Sequence, residues 1–208
     1  MSNRLNTICK YINENDKVVD VGCDHAILGE LLAERNISSI ASDVVPSIIE
    51  TRKKEEHSPL ITFMLSDGLK DIDDSLYDTV VVSGMGSITI KDIVVNSTRK
   101  FKKLITVSNK DYYYLRNELS KLGYKISLEE VIYEKGKFYN LIIFEPGREV
   151  YSYKDLLLGV NHQNIENYKK KVRYMYDKYN IILPKVPSSS KKEIRMIKKI
   201  IRFLEQEI

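Results

Sequence analysis

The sequence predicts an α/β protein: a doubly wound, mostly parallel sheet with an antiparallel edge hairpin, followed by a C-terminal helical pair. Three observations carry that expectation. Strand-like apolar runs alternate with helix-like segments from Lys17 to Leu122, the rhythm of strands covered by helices on both faces. Between Ile126 and Phe144 two apolar runs are separated only by a short polar turn, which reads as a hairpin. Beyond Pro146-Gly147 the apolar residues step by three and four, the period of a helix.

Lys17–Val21 is a short buried strand. Ala26–Arg35 carries Ile27, Leu28, Leu31 and Leu32 at helical spacing. Ser39–Val44 is the second strand, and Pro46 opens the next helix at its first position, where the missing N–H costs nothing. Ile61–Leu65 and Asp78–Val82 are the third and fourth strands; the fourth is nearly all apolar, as burial on both faces requires. Ile88–Val95 reads as helix and Leu104–Val107 as the fifth strand. Tyr112–Leu122 is a helix stopped by Gly123. Ile126–Tyr133 and Phe138–Phe144 form the hairpin around a turn at Glu134–Lys137, with Gly136 as the turn residue. The reading is of five strand–helix repeats followed by a hairpin.

In the remainder, Ile165, Tyr168, Val172, Met175, Tyr179 and Ile182 make one heptad-like stripe, and Ile194, Ile197, Ile201, Leu204 and Ile208 make another. Pro184 and Pro187 separate them. These stripes are expected to be the seam of an antiparallel coiled-coil pair rather than a cofactor pocket. The expected domains are 1–148 and 149–208.

The chain has 208 residues and is 43% hydrophobic, enough for a sizeable core. It shows neither a basic-then-apolar leader nor an apolar run near ~18 residues, so a soluble cytoplasmic protein that uses no membrane is expected. Cys9 and Cys23 lie in no CxxC or Cys/His cluster, so neither a structural metal nor a disulfide framework is expected. Charge is uneven: residues 151–208 hold 13 Lys/Arg against 6 Asp/Glu, and residues 1–150 hold 20 against 23. A basic tail on a slightly acidic body fits an anionic partner, or simply a solvated helical surface.

A doubly wound sheet binds ligands beyond the carboxyl ends of its strands. The polar stretches Asp20–His25, Asp43, Ser66–Gly68, Ser83–Gly86 and Ser108–Asn109 all fall there. The first loop has Gly22 but lacks the remaining glycines of a dinucleotide fingerprint, and Asp24 would repel a pyrophosphate. No phosphate-cradling P-loop is present. A ligand with a cationic centre and no phosphates suits Asp20 and Asp24, which points to S-adenosylmethionine. Asp43, 21 residues after Gly22, stands where a carboxylate accepts both ribose hydroxyls. Asp67, followed by Gly68, could accept from the adenine amino group. Each residue also has a plain alternative: Asp20 could satisfy backbone N–H groups, Asp24 could cap the following helix, and the glycines could be ordinary turn residues. The small-residue loop Ser83-Gly84-Met85-Gly86-Ser87 lets a planar ring approach backbone. The [DN]PP[YFW] signature of exocyclic-amine methylation is absent, which favours a ring nitrogen with an in-plane lone pair.

With these residues laid out, the chain resembles the bacterial TrmK family of tRNA (adenine-22-N1)-methyltransferases. The matching pieces are Arg4-Leu5 and Tyr11-Ile12, Asp20 to Ala26, Asp67 to Leu69, Gly84 to Gly86, Asn109, and Glu130 to Tyr139; the C-terminal helical pair matches as well. The chain departs from the family at Ile27-Leu28-Gly29, at Ser87 after the Gly84-Met85-Gly86 triplet, and at Ser108 before Asn109. The resemblance implies a Rossmann-like class I methyltransferase domain, a coiled-coil C-terminal domain, and methylation of N1 of adenine 22 in the tRNA D-arm. It implies a cofactor site of Arg4, Asp20, Gly22, Asp24, His25, Asp43, Asp67, Gly68, Ser83 and Gly84. The target base would enter beside Met85, with Asn109 bonding its edge and Tyr139 stacking on it. Arg4 would reach the cofactor carboxylate or the RNA, and His25 would be either structural or an acid–base group. Lys169, Lys170, Arg173, Lys192, Arg195 and Lys199 would meet tRNA phosphates. A monomer is expected. A methyltransferase with another RNA, protein or small-molecule substrate, and a non-catalytic RNA-binding protein with the same fold, are the competing readings.

Overall fold

The computed structural model describes residues 3–208. Five parallel strands, β1 (Val18–Val21), β2 (Ser39–Asp43), β3 (Ile61–Leu65), β4 (Thr79–Ser83) and β5 (Lys103–Val107), are joined at one edge by an antiparallel pair, β6 (Tyr124–Glu134) and β7 (Lys137–Pro146). The order across the sheet is β3-β2-β1-β4-β5-β7-β6. The chain runs outward from β1 to β3, then returns to lay β4 against the other side of β1. The register pairs Val19 with both Ile40 and Val80. This reversal sets the loops after β1 and β4 side by side, and ligands bind at such a switch point.

Alternation along each strand builds two cores. On one face Val19, Val21, Val80 and Val82 meet Ile90 and Val94 of α4 (Ser87–Val95) and Leu115 and Leu119 of α5 (Tyr112–Lys121). On the other, Val18, Val81, Ile105 and Val107 meet Ile8 of α1 (Asn3–Lys10) and Leu28 and Leu32 of α2 (Ile27–Ala33). Each fully buried aliphatic side chain contributes ~1.5–3 kcal/mol. The helix α3 (Pro46–Lys54) begins at its proline, as expected.

The structure departs from the sequence reading in three places. No α-helix joins β3 to β4, only a 3₁₀ turn at Asp74–Leu76, so there are four strand–helix repeats and not five. The hairpin turn falls within Glu134–Lys137 as expected, its two central residues being Lys135 and Gly136, both with positive φ (49° and 77°). That is the tight turn whose twist matches its strands. Two short helices, α1 and α6 (Tyr153–Leu158), arise where no periodicity was legible; a Ser152/Asp155 capping box starts α6. The first compact unit also runs on to Asn161, and the second spans His162–Ile208. The expected break after residue 148 falls earlier, because segment 149–161 is fastened to the sheet domain. Ile126 N–H donates to the Tyr151 hydroxyl (2.6 Å). Arg116 pairs with Glu129 (2.6 Å) and donates to the Leu156 carbonyl (2.8 Å), both charged side chains being almost fully buried.

In the second unit, α7 (Ile165–Ile182) and α8 (Lys191–Glu205) pack on each other. The unit's buried residues are Tyr168 and Val172 on α7 and Ile197, Ile200, Ile201 and Leu204 on α8, whereas Ile165 and Ile208 at the ends of the two stripes are exposed. No helix among the described residues is long and apolar enough to cross a membrane.

Candidate functional site

The site grows from the turn after β1. Gly22 adopts φ +81°, and both Gly22 and Cys23 donate their N–H groups to the Ser42 carbonyl (2.8 and 3.0 Å). The turn is thereby pinned to β2. A β-carbon at Gly22 would stand 2.3 Å from the Met85 methyl. Thus Met85, in the loop after β4, lies directly on the glycine turn, as the switch point predicts. The backbone stays left-handed at Asp24 (φ 45°) and Ala26 (φ 55°), unusual for residues with side chains. Ala26, not Asp24, precedes the first turn of α2, and no side chain caps that turn. Asp24 is therefore not the helix cap that its position suggested. Its carboxylate is exposed and lies 3.6 Å from the exposed His25 imidazole.

Asp20 is the reverse case. Only 6% exposed, its carboxylate receives no hydrogen bond among the described residues. Burial raises its pKa from 3.8 to about 7, and the nearby Asp43 carboxylate adds to the rise. Burial, then Asp20 and Asp43, also push the Cys23 thiol up to about 12, so it stays protonated. The backbone-satisfying role considered for Asp20 is absent. Asp43 ends β2, is 8% exposed, and accepts the Val45 N–H through Oδ1 (3.0 Å). Asp67 lies in the loop after β3, exposed and paired with Lys70. Gly68 beside it has φ +66°.

The loop after β4 is locked to the loop after β5. Gly84 N–H donates to the Val107 carbonyl (3.0 Å), Asn109 Nδ2 to the Gly84 carbonyl (2.6 Å), and Asn109 N–H to the Met85 carbonyl (2.9 Å). Below them the buried Ser87 and Ser108 hydroxyls lie 2.8 Å apart. Sequence reasoning placed Ser108 at a strand end and Ser87 in the small-residue loop but did not pair them; two hydroxyls at adjacent strand ends were the available signal. Ser83, half-buried, closes β4.

Tyr139 and Arg4 sit elsewhere on the same edge. Leu141 pairs with Val107, the last residue of β5, so Tyr139 lies two positions beyond that strand's carboxyl end. The Arg4 guanidinium lies 4.5 Å from the Tyr139 ring centre and pairs with Glu134 (2.8 Å). Arg4 is thus engaged with the hairpin. Lys169, Lys170, Arg173, Lys192, Arg195 and Lys199 are all exposed on α7 and α8. Lys170 pairs with Glu166 at one helical turn (2.6 Å). No group of three His, Cys, Asp or Glu among the described residues could hold a metal ion.

The donor set has a definite chemistry. A buried carboxylate without donors, a second carboxylate at the next strand end and a glycine turn closed by Met85 suit a ligand that brings hydroxyls, amines or positive charge. They oppose phosphate. A family described as "Methyltransferase domain" matches residues 1–142, and the chain belongs to that family. The tRNA (adenine(22)-N(1))-methyltransferase of Bacillus subtilis (strain 168) is 28% identical over 168 residues, which cover 76% of this chain and 71% of the relative. The solved structure of M. capricolum TrmK in complex with S-adenosyl-homocysteine is 25% identical, with a TM-score of 0.84 over 99% of this chain and 96% of that one. Magnesium protoporphyrin IX methyltransferase (ChlM) from Synechocystis PCC 6803 shares the fold at 17% identity, with a TM-score of 0.57 over 69% of this chain and 78% of its own.

Proposed function

We propose that this chain is an S-adenosylmethionine-dependent tRNA methyltransferase that modifies N1 of adenine 22 in the D-arm, acting as a cytoplasmic monomer. The observation that carries the reading is the buried, donor-free Asp20 carboxylate at the switch point, with Asp43 beside it. The relatives named tRNA (adenine(22)-N(1))-methyltransferase and TrmK support the choice of substrate.

S-adenosylmethionine supplies an electrophilic methyl group on a cationic sulfur. In this reading Gly22, Asp24 and His25 line its methionine end, with Asp20 beneath the turn. Asp43 accepts the ribose hydroxyls, and Asp67 and Gly68 border the adenine. Ser83 and Gly84 give the floor, and Met85 packs beside the transferred carbon. Adenine N1 carries an in-plane lone pair, so the residues must position it in line and exclude water rather than remove a proton. Asn109 has committed its amide N–H to Gly84, which leaves Oδ1 to accept from the adenine amino group. Tyr139 flanks the base. Extruding the base from structured RNA costs a few kcal/mol, offset by stacking and hydrogen bonds in the pocket. The exposed lysines and arginines of α7 and α8 hold phosphates and give affinity without base choice.

The test is incubation with S-adenosylmethionine and unmodified tRNA, followed by nucleoside analysis. The reading expects 1-methyladenosine. A different methylated nucleoside would reassign the substrate atom, and a chain that binds cofactor but labels no RNA would end the tRNA assignment.

A further inference from the structure

Two segments singled out in the sequence, Arg4 to Tyr11 and Glu130 to Tyr139, meet in the structure. The Glu134 carboxylate stands at the start of α1. Its Oε1 accepts from the N–H groups of Asn3 (2.6 Å) and Arg4 (3.4 Å), and its Oε2 accepts from Arg4 Nε (2.8 Å). It therefore satisfies two of the open N–H groups of the first turn and complements the helix dipole. Near the other end of α1, Glu130 accepts from the Tyr11 hydroxyl and from Lys10 Nζ (3.1 Å). Glu130 and Glu134 are four residues apart in one strand, so both ends of α1 are pinned to the hairpin.

We infer that Glu134 is a positioning residue: it holds Arg4 over the Tyr139 ring, and the three residues form one wall against which the target adenine is seated. The inference rests on the methyltransferase reading above. Its geometric basis is continuity with the reacting loops. Asn140, next to Tyr139, donates its N–H to the Tyr112 hydroxyl (3.3 Å). Tyr112 opens α5, three residues after Asn109, and Asn109 is bonded to Gly84 and Met85. The partly buried Glu134 carboxylate holds the guanidinium from one side (2.8 Å), and a planar guanidinium on an aromatic face fixes the ring's tilt.

The charge of this wall matters as well. When adenine N1 forms its bond to the methyl carbon, the carbon–sulfur bond breaks and its electron pair returns to sulfur. The sulfonium becomes a neutral thioether, and the adenine becomes the cation. Glu134 neutralises Arg4 beside that developing charge. Without Glu134 the wall would present an unpaired cation to a cationic product.

The experiment compares tRNA methylation by the wild type and by Glu134→Gln, Arg4→Ala, Tyr139→Ala and the Arg4→Ala/Tyr139→Ala double variant, with cofactor Kd and Tm measured for each. Glu134→Gln and Arg4→Ala should each lower kcat/KM for tRNA about tenfold, the scale of a lost cation–π contact and a mispositioned ring. Cofactor Kd should stay within about twofold. Arg4→Ala should add little once Tyr139 is alanine. Tyr139→Leu also removes the ring while keeping an apolar side chain, so the cycle is run on it if Tyr139→Ala does not fold, and Tyr139→Phe, which keeps the ring, should keep full sensitivity to Arg4→Ala. A fall in Tm with kcat/KM unchanged would make the trio merely structural. Equal Arg4→Ala effects with and without the ring, or a tenfold change in cofactor Kd, would place Arg4 on the RNA or the cofactor instead. A wild type that binds cofactor but methylates no tRNA would overturn the functional reading itself, and this inference with it.

Discussion

Replacing Asp20 with asparagine should stabilise the ligand-free protein at alkaline pH while weakening its hold on the cofactor. The carboxyl pKa rises from 3.8 to about 7 on folding, with burial as the first cause and the Asp43 carboxylate as the second. Between those values the folded chain keeps a proton that the unfolded chain has released. Stability is therefore highest below the unfolded-state value and falls as pH rises toward 7. A displacement of about three pH units at ~1.4 kcal/mol each sets a ceiling of ~4 kcal/mol. Asp20→Asn keeps the volume and removes the ionisation, so it should gain roughly 1–4 kcal/mol at pH 8 and nothing at pH 4. The assay is denaturant unfolding of both proteins from pH 4 to pH 8. A cationic ligand beside Asp20 favours the ionised carboxylate, so wild-type cofactor affinity should rise by up to about tenfold per pH unit below 7, and the variant's should not. Parallel pH profiles for the two proteins, or a less stable variant at pH 8, would refute the reasoning.

Three further outcomes follow from the same geometry. Asp43→Ala should raise cofactor Kd roughly 10- to 100-fold, as expected when two hydrogen bonds to a carboxylate are lost, without changing the fold; unchanged affinity in a titration would remove Asp43 from the ribose site. Arg116→Ala leaves the Glu129 carboxylate buried without its counter-charge and should destabilise the sheet domain by ~3–5 kcal/mol, read as a fall in denaturant midpoint. A loss below ~1 kcal/mol would show that the pair is dispensable. Changing Lys192, Arg195 and Lys199 together to alanine should weaken tRNA binding and flatten the log–log salt dependence by up to about 0.9 per lost phosphate contact; an unaltered slope would take α8 out of the RNA interface.

The strands themselves and the mouth of the sheet were legible because burial on both faces writes itself as continuous apolar runs, and the acids and glycines that follow them stand out. Asp43 and Gly22 were placed correctly at strand ends for that reason. What the sequence could not carry was contact between distant segments. Arg4 and Tyr139 lie 135 positions apart and meet only because α1 docks on the hairpin. The short helices α1 and α6 held too few turns to show a period, and α1 draws its N-terminal cap from Glu134, far along the chain. Asp24 looked like a helix cap because acids favour that place. The left-handed backbone at Asp24 and Ala26 turns it outward instead. The missing helix between β3 and β4 was a matter of counting: a regular alternation was extended over a stretch that carries no helical stripe.

The most direct test of the central claim is methyl transfer from labelled S-adenosylmethionine to two tRNA transcripts that differ only in carrying A or G at position 22. Label recovered as 1-methyladenosine from the A22 transcript alone is the predicted result. Equal label in both transcripts would keep a methyltransferase and contradict the assignment to adenine 22. Absence of label in both, with cofactor bound, would contradict tRNA as the substrate.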